Sequence, residues 1–499
     1  MTTERYDAAI VGGGSAGLAA LKRLSDLGKQ AVLVEAGRQA GTKNVSGGII
    51  YSKKPKHGRV NNVEDIYDNF MQEAPFERKI TKYMLHAVSK DKEWALDLTA
   101  AHEYQANFGY SVLLNRLNGW FARQAGEAAE RQGGGIVSGV HVRSVGWNKL
   151  GHAVIETDEL EPFEAKAVIA ADGVNSEIAI MTGARAKFTP DQLYQGVKVV
   201  VKMPEQVLEE RFGIGSDEGA AHLFSGDITL GHIGGGFLYT NRDTLSVGAV
   251  YHYDSLLSKP STPSELVDAL LKNPLVAEMI KDEVPIKHEI DRNLPKEEQL
   301  RARFAVSKLV KTWSELRDSY YSPSARRRLI ESGKYKSDDE MRARLESVRN
   351  ELQTKYSTTF VTDYVELEYS AKLVPDGKRC AMDRPYHKNI LFVGDAVGRG
   401  VFIGPRIEGI NVGIDDAVRA ADSVARALDR NEISSMGEHY TQQIEASPFT
   451  RDMREIDKDY LKVFLDAAKD VPKDIVGQRY GMIFRLMSSS TFRGLAVGF

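Results

Sequence analysis

The segment that most constrains this chain lies within its first thirty-five residues. Tyr6 to Val11 reads as a short buried strand, and Gly12-Gly-Gly-Ser-Ala-Gly17 follows it at once. Ala16 to Leu27 then reads as a helix that Gly28 ends, and Gln30 to Glu35 is a second apolar strand closing on an acid. Glycines at 12, 14 and 17, with the acid 18 residues past Gly17, give a βαβ unit whose parts stand in the required order. Each glycine has its own task. Gly12 permits the tight turn, Gly14 lets backbone approach a pyrophosphate, and Gly17 lets the helix close on the strand. Unpaired N–H groups at the helix start hold phosphate, and Glu35 accepts from a ribose hydroxyl while repelling a 2′-phosphate.

The rest of the nucleotide-binding sheet is scattered. Ala167-Val-Ile-Ala-Ala-Asp-Gly-Val-Asn-Ser176 is an apolar strand that breaks at Asp172-Gly173. Asn389-Ile-Leu-Phe-Val-Gly-Asp-Ala-Val-Gly398 is another, ending in Gly394-Asp395, and Gly404-Pro-Arg-Ile-Glu-Gly-Ile-Asn-Val-Gly413 leads to a helix over roughly Ile414 to Leu428. Residues between about 190 and 375 must therefore form a second unit inserted into the first. Gln195 to Lys202 and Gly236 to Tyr251 have strand character with turn-like interruptions there. The fold class expected is α/β. A Rossmann-like domain over 1–75, 108–188 and 380–430 carries an inserted β-rich substrate domain over 76–107 and 189–379. A helical C-terminal segment covers 431–499.

From Lys296 to Tyr356 the texture changes to charged helix. Between Arg301 and Lys355 there are 14 Lys/Arg against 8 Asp/Glu, densest at Arg326-Arg-Arg328. A solvated helical hairpin and a docking surface for an acidic partner or anionic headgroups both remain open.

Composition removes other classes. The 499 residues carry one cysteine, Cys380, so an internal disulfide, a four-cysteine zinc site and a cysteine-ligated iron–sulfur cluster are excluded. A formal charge of −3 gives no case for nucleic acid as a partner. No apolar run approaches the ~20 residues that span a bilayer. The Met1-Thr-Thr-Glu-Arg-Tyr start lacks a signal-peptide core, so the cytoplasm is expected, with membrane-surface attachment left open. Neither a catalytic triad nor a closely spaced His/Cys metal cluster stands out. A βαβ fingerprint combined with a late strand-Gly-Asp motif fits FAD better than NAD. Asp395 suits a ribityl hydroxyl, and a helix beginning near Gly413 aims its positive end at the flavin pyrimidine ring.

Together these motifs resemble the glutathione-reductase-like FAD superfamily. Ala40-Gly-Thr-Lys-Asn-Val-Ser-Gly-Gly48 looks like the flavin-contacting loop of electron-transfer flavoprotein:quinone oxidoreductases, specifically the shorter FixC-type proteins. Tyr110-Ser-Val-Leu, Trp120, Gly196-Val-Lys198, Glu209-Glu-Arg-Phe212, Gly219-Ala-Ala-His-Leu-Phe224 and Gly234-Gly-Gly-Phe-Leu-Tyr-Thr-Asn241 fit the same family in order. The likeness covers most of the chain except 296–356. It assigns FAD to Gly12, Gly14, Gly17, Glu35, Asn44, Val45, Gly47, Asp172 and Asp395. Ser15, Ala16, Ala36, Lys43, Ser46, Val140, Gly173, Gly394, Gly409, Ile410 and Asn411 stand beside them as further cofactor candidates. Leu114 and Asn118 depart from the family, whose members often have Arg and Asp there, and Arg116 is the candidate to replace that phosphate-facing Arg. Gly234 and Gly235 correspond to the family's quinone pocket, with Phe237 and Tyr239 as its wall. From the residues alone, Gly234 to Gly236 reads equally as a β-turn or bulge.

The activity this resemblance implies is transfer of electrons from a two-subunit electron-transfer flavoprotein to a membrane quinone. The flavin carries the chemistry and no protein group is named as catalytic. The longer relatives' four-cysteine cluster has no place here, so a separate ferredoxin-like subunit is expected and Cys380 is read as a packing residue. Phe484, Leu486, Met487, Phe492 and Phe499, with Arg485 and Arg493, fit either attachment to the inner face of the cell membrane or a core-docking tail. One rival is a geranylgeranyl-reductase-like prenyl reductase, against which His232 to Tyr239 lacks Trp and Pro. Another is a non-catalytic flavin-bearing subunit.

Overall fold

A computed structural model describes residues 4–42, 48–53, 73–88, 93–97, 99, 107–291, 293–321, 323–403, 406–450 and 453. Two sheets dominate them. In the first, five strands run parallel in the order Ile390–Phe392, Phe163–Ala170, Arg5–Val11, Ala31–Glu35 and Gly135–Ser138. Parallel strands buried on both faces need continuous apolar runs, and these have them. Ala8, Ile10, Leu33 and Ile169 turn to one face, where they pack against helices Ser15–Asp26, Leu114–Glu130 and Ile410–Arg430. Ala9, Val11, Val34 and Val168 turn to the other, covered by the ribbon of strands Val142–Trp147 and Ala153–Thr157. The α/β expectation holds, with first strand, helix and second strand each within a residue of the expected bounds.

The second sheet contains the strands Val365–Pro375, Leu193–Lys202, Thr244–His252, Gly234–Thr240, Glu218–Gly226, Lys79–Val88, Asn107–Val112 and Gly48–Lys53, in that order. The stretch over 236–251, expected as strand with turn-like interruptions, is a hairpin of two strands turned at Asn241-Arg242-Asp243. Gly48–Lys53 and Asn107–Val112 pair here, although both lie largely in segments expected for the nucleotide-binding domain. Val197, Val199, Leu238, Val247 and Ala249 point to one face, which helices Glu205–Phe212, Pro263–Lys272 and Pro274–Ile280 cover. The opposite face is turned away from these helices.

The charged stretch is three helices, Lys296–Tyr321, Pro323–Glu331 and Asp338–Tyr356, around a small core of Trp313, Leu316, Met341, Val348 and Leu352. Strands Asp282–Lys287 and Thr359–Asp363 pair where the chain enters and leaves this insertion. No helix among the described residues is long and apolar enough to cross a membrane. The tail residues Phe484 to Phe499 lie outside the described residues. Cys380 is buried and donates its thiol hydrogen to the Gln192 carbonyl at 2.8 Å. Burial pushes that thiol up to about 12, as befits a packing residue.

Candidate functional site

Three motifs remote in sequence converge. A Cβ placed on Gly413 would lie 3.5 Å from both Ala16 Cβ and Gly394 Cα, so the first helix, the Gly-Asp turn and the last long helix meet at one point. The three backbones approach so closely that a methyl group there would touch both neighbours. Gly394 takes φ +62°, the left-handed region that favours glycine. The last helix starts at Ile410, four residues before the expected Ile414, with Gly409 as its cap. Apolar periodicity marks only the part from Ile414 onward. Val412 and Asn411 are nonetheless buried, and Gly413 packs against Gly394, so tertiary contact extends the helix backward.

The first turn leaves backbone donors open to a ligand. Gly14 caps the Ser15–Asp26 helix with no side-chain hydrogen bond and no acid in the first turn, so the leading N–H groups stay available. Gly12 takes φ +105°, and a Cβ on Gly17 would sit 1.9 Å from the Gly12 carbonyl oxygen. Glu35 Oε2 accepts from Gly13 N–H at 2.6 Å and Oε1 from Gly37 N–H at 2.5 Å, which fixes the carboxylate at the end of its strand. Val140 donates its N–H to the Glu35 carbonyl at 3.0 Å and so belongs to the same corner, while Ala36 is exposed beside it.

Two buried polar atoms face this region without a partner among the described residues. Asn118 Oδ1 accepts from Ser15 Oγ at 2.8 Å, but its Nδ2 donor is unpaired. Asp172, adjoining the Gly12 turn and next to Gly173, accepts from Ile178 N–H at 2.9 Å through Oδ2 and leaves Oδ1 unpaired. Such orphans fit a polar ligand that completes them. Together with the open helix start and the glycine cradle, they fit an FAD bound along this edge. Burial pushes the Asp172 carboxyl up from 3.8 to about 6, against the Ile178 N–H that lowers it. A carboxyl raised on folding contributes stability below its ordinary value and loses it as pH rises through about 6. Asp172→Asn should therefore unfold at a higher temperature than the parent at pH 8, with the gap closing near pH 4. Thermal unfolding followed across that range checks it.

Arg116 Nη1 pairs with the buried Glu77 at 3.1 Å, with more than half of the arginine side chain exposed. Asp395 Oδ2 accepts from Lys372 Nζ at 2.8 Å, a partner that the sequence motifs did not reveal. This ion pair joins the first sheet's Gly-Asp turn to the open face of the second sheet. Lys43, Asn44, Val45, Ser46 and Gly47 lie outside the described residues.

Register locates the remaining candidates on that open face. Phe237 lies opposite Gly248 and Tyr239 opposite Ser246, so both rings leave the sheet on the side away from its helices. The rings stack with centroids 4.9 Å apart and planes 16° apart. Gly234 and Gly235 pair with Tyr251 and Val250 as ordinary strand residues, which makes them neither turn nor bulge. A Cβ on Gly234 would meet the Val250 carbonyl oxygen at 2.3 Å.

A parallel sheet with an open glycine turn after its first strand, an acid ending the second and a late Gly-Asp turn is the frame of a dinucleotide-binding flavoprotein of the oxidoreductase class. The chain belongs to the FAD dependent oxidoreductase family, whose model matches residues 7–323, and its cofactor is FAD. Protein FixC of Salmonella typhi is 29% identical over 469 residues, covering 93% of this chain and 87% of that one. The probable electron transfer flavoprotein-quinone oxidoreductase YdiS of Escherichia coli is 27% identical over 462 residues, covering 92% and 85%. Among solved structures, a geranylgeranyl bacteriochlorophyll reductase-like protein of Thermoplasma acidophilum aligns with TM-score 0.58 at 15% identity, covering 97% of this chain and 99% of that one. Halogenase PltM, in complex with phloroglucinol and FAD, aligns with TM-score 0.54 at 12% identity, covering 91% and 76%. These last two likenesses are of fold.

Proposed function

We propose that the protein takes electrons from an electron-transfer flavoprotein and delivers them to a membrane quinone. The observation that carries this reading is similarity to FixC and YdiS along more than nine-tenths of the chain, which takes in the Gly234–Tyr239 strand. FAD accepts electrons singly or in pairs and so couples such a donor to a two-electron acceptor. The protein's own part is to hold phosphate at the Gly12–Gly17 turn, ribose at Glu35 and the ribityl chain at Asp395. Phe237 and Tyr239 offer an apolar wall to a quinone ring, and Gly235 lets that ring near the backbone. In this reading residues 1–75, 108–188 and 380–430 serve FAD, while 76–107 and 189–379 serve the quinone. A separate ferredoxin-like subunit and the membrane surface complete the assembly.

Anaerobically reduced protein should be reoxidised by decylubiquinone or a menaquinone analogue; reduced protein that stays reduced with both would overturn the proposal. Gly235→Leu should slow that step about 10–200-fold, the range for an ill-fitting side chain in a pocket, and leave the flavin spectrum unchanged. Loss of FAD in that variant would mean that the pocket lies elsewhere.

A further inference from the structure

Lys198 interrupts the valine run of its strand, and its residue is 3% exposed. A lysine so deeply buried is rare without a task or a partner. Register puts it on the open face: Lys198 lies opposite Gly248 on one side and Ser370 on the other, and Gly248 lies opposite Phe237. A Cβ on Gly248 would be 2.6 Å from Phe237 Cζ and 3.0 Å from Lys198 Cβ. The missing side chain thus lets the Phe237 ring and the Lys198 stem meet over one glycine. With strands about 5 Å apart, Lys198 and Phe237 are separated by about 10 Å of backbone, a gap that a four-carbon stem shares with a ring.

We infer that Lys198, supported by Glu368, supplies a proton to a quinone carbonyl oxygen at the Phe237–Tyr239 face. This inference rests on the quinone reading above. A quinone becomes a quinol by taking two electrons and two protons. A bound reduced flavin would supply the electron pair and one proton. The second proton leaves the Lys198 ammonium, and the amine that remains is reprotonated from water.

The surroundings suit that task. Burial pushes the Lys198 ammonium down from 10.5 to about 7, opposed by the Glu368 carboxylate. A group poised there gives up a proton near neutrality and regains it. The same face carries Glu368 on the Val365–Pro375 strand, the Lys372–Asp395 pair, Tyr239 on the hairpin, and Tyr194 with His252 toward the strand ends; a bulge after Val200 turns Glu366 to the other side, opposite Val201. Glu368 opposes Val200, the second residue after Lys198, and is the one that raises the lysine; Lys372 is already paired with Asp395.

The test compares the FAD-loaded parent with Lys198→Met and Lys198→Arg. Reoxidation by decylubiquinone should fall about 100-fold in Lys198→Met, while reoxidation by ferricenium, which takes electrons without protons, stays within about twofold. The parent rate should decline as pH rises through about 7, where the ammonium deprotonates, and Lys198→Arg should be slow with a flat profile because arginine keeps its protons. A readout independent of turnover is binding of decylubiquinone to the oxidised protein. Parent affinity should fall above neutral pH, that of Lys198→Arg should not, and Lys198→Met should bind about tenfold more weakly, the loss of one hydrogen bond from a charged donor. If Lys198→Met matches the parent with quinone, or is slowed equally with ferricenium, the lysine has no such role. If Lys198→Met fails to load FAD, the pH profile and affinity of Lys198→Arg decide, and parent-like values overturn the inference. A parent that ignores quinone overturns the quinone reading and this inference together, whereas a parent and Lys198→Met that both reduce it overturn the lysine alone.

Discussion

Gly17→Ala will cost the protein its FAD. The added Cβ would lie 1.9 Å from the Gly12 carbonyl oxygen, whereas a carbon and an oxygen in contact keep about 3.3 Å. Both sides of that contact are backbone, so no rotamer change relieves it. Relief requires the Ser15–Asp26 helix to move off the Arg5–Val11 strand by more than an ångström. That motion also separates Ala16 from Gly394 and Gly413 and so opens the three-motif junction at once. Overpacking of this kind costs about 1–3 kcal/mol, which is about 5–150-fold where it falls on cofactor affinity. Flavin absorbance per protein, measured after gel filtration, should drop about tenfold or further. Gly119→Ala is the matched control. Gly119 lies inside the Leu114–Glu130 helix with ordinary negative φ, and a methyl group on it would meet no atom within 4 Å. Its alanine variant should retain FAD and add about 0.5–1 kcal/mol of stability. Full FAD content in Gly17→Ala would mean that the helix can settle elsewhere without harm to the site.

How much of this was legible beforehand depends on how local each cause is. The demand for glycine at 17 is made by the Gly12 carbonyl within the same turn, so spacing alone exposes it, whereas a Cβ on Gly12 would meet Ala171, remote in sequence. Glu35 is equally legible because it ends a strand whose apolar run is unmistakable. The Asp395–Lys372 pair is not, since its partners sit on different sheets and neither strand's pattern refers to the other. Arg116 is a similar case: its ion pair is with Glu77, distant in sequence and buried, a partner that nearness along the chain does not indicate. Lys198 left a trace as a charge within Val197-Lys-Val-Val-Val201, but its neighbours Phe237 and Gly248 emerge only with strand register. The Gly234–Gly235 strand is a similar case, because glycine pairs read as turns until their ladder partners are known.

Arg78 left no trace at all, yet its loss should be the most damaging to the second sheet. Its side chain has no exposure, and its guanidinium donates to five backbone carbonyls. These belong to Gly215, Ser216 and Glu218 at 2.9–3.0 Å, Asn241 at 2.8 Å and Arg242 at 3.1 Å, and Glu209 accepts from it at 3.1 Å. One planar cation therefore ties together the start of Lys79–Val88, the Glu205–Phe212 helix, the approach to Glu218–Gly226 and the hairpin turn. Carbonyl acceptors carry no residue-type signature, which is why no motif announces this site. Arg78→Met keeps the stem's volume but strands five carbonyls and a partly buried carboxylate. Removing one partner of a buried ionic network costs about 3–5 kcal/mol, mostly through the groups left behind. At about 2–4 °C per kcal/mol for a unit of this size, the unfolding midpoint should fall by about 10 °C. Arg78→Lys should recover little, because a single ammonium cannot reproduce a planar fork of five donors. A thermal midpoint within about 2 °C of the parent for Arg78→Met would show that water or neighbouring side chains satisfy these carbonyls without the guanidinium.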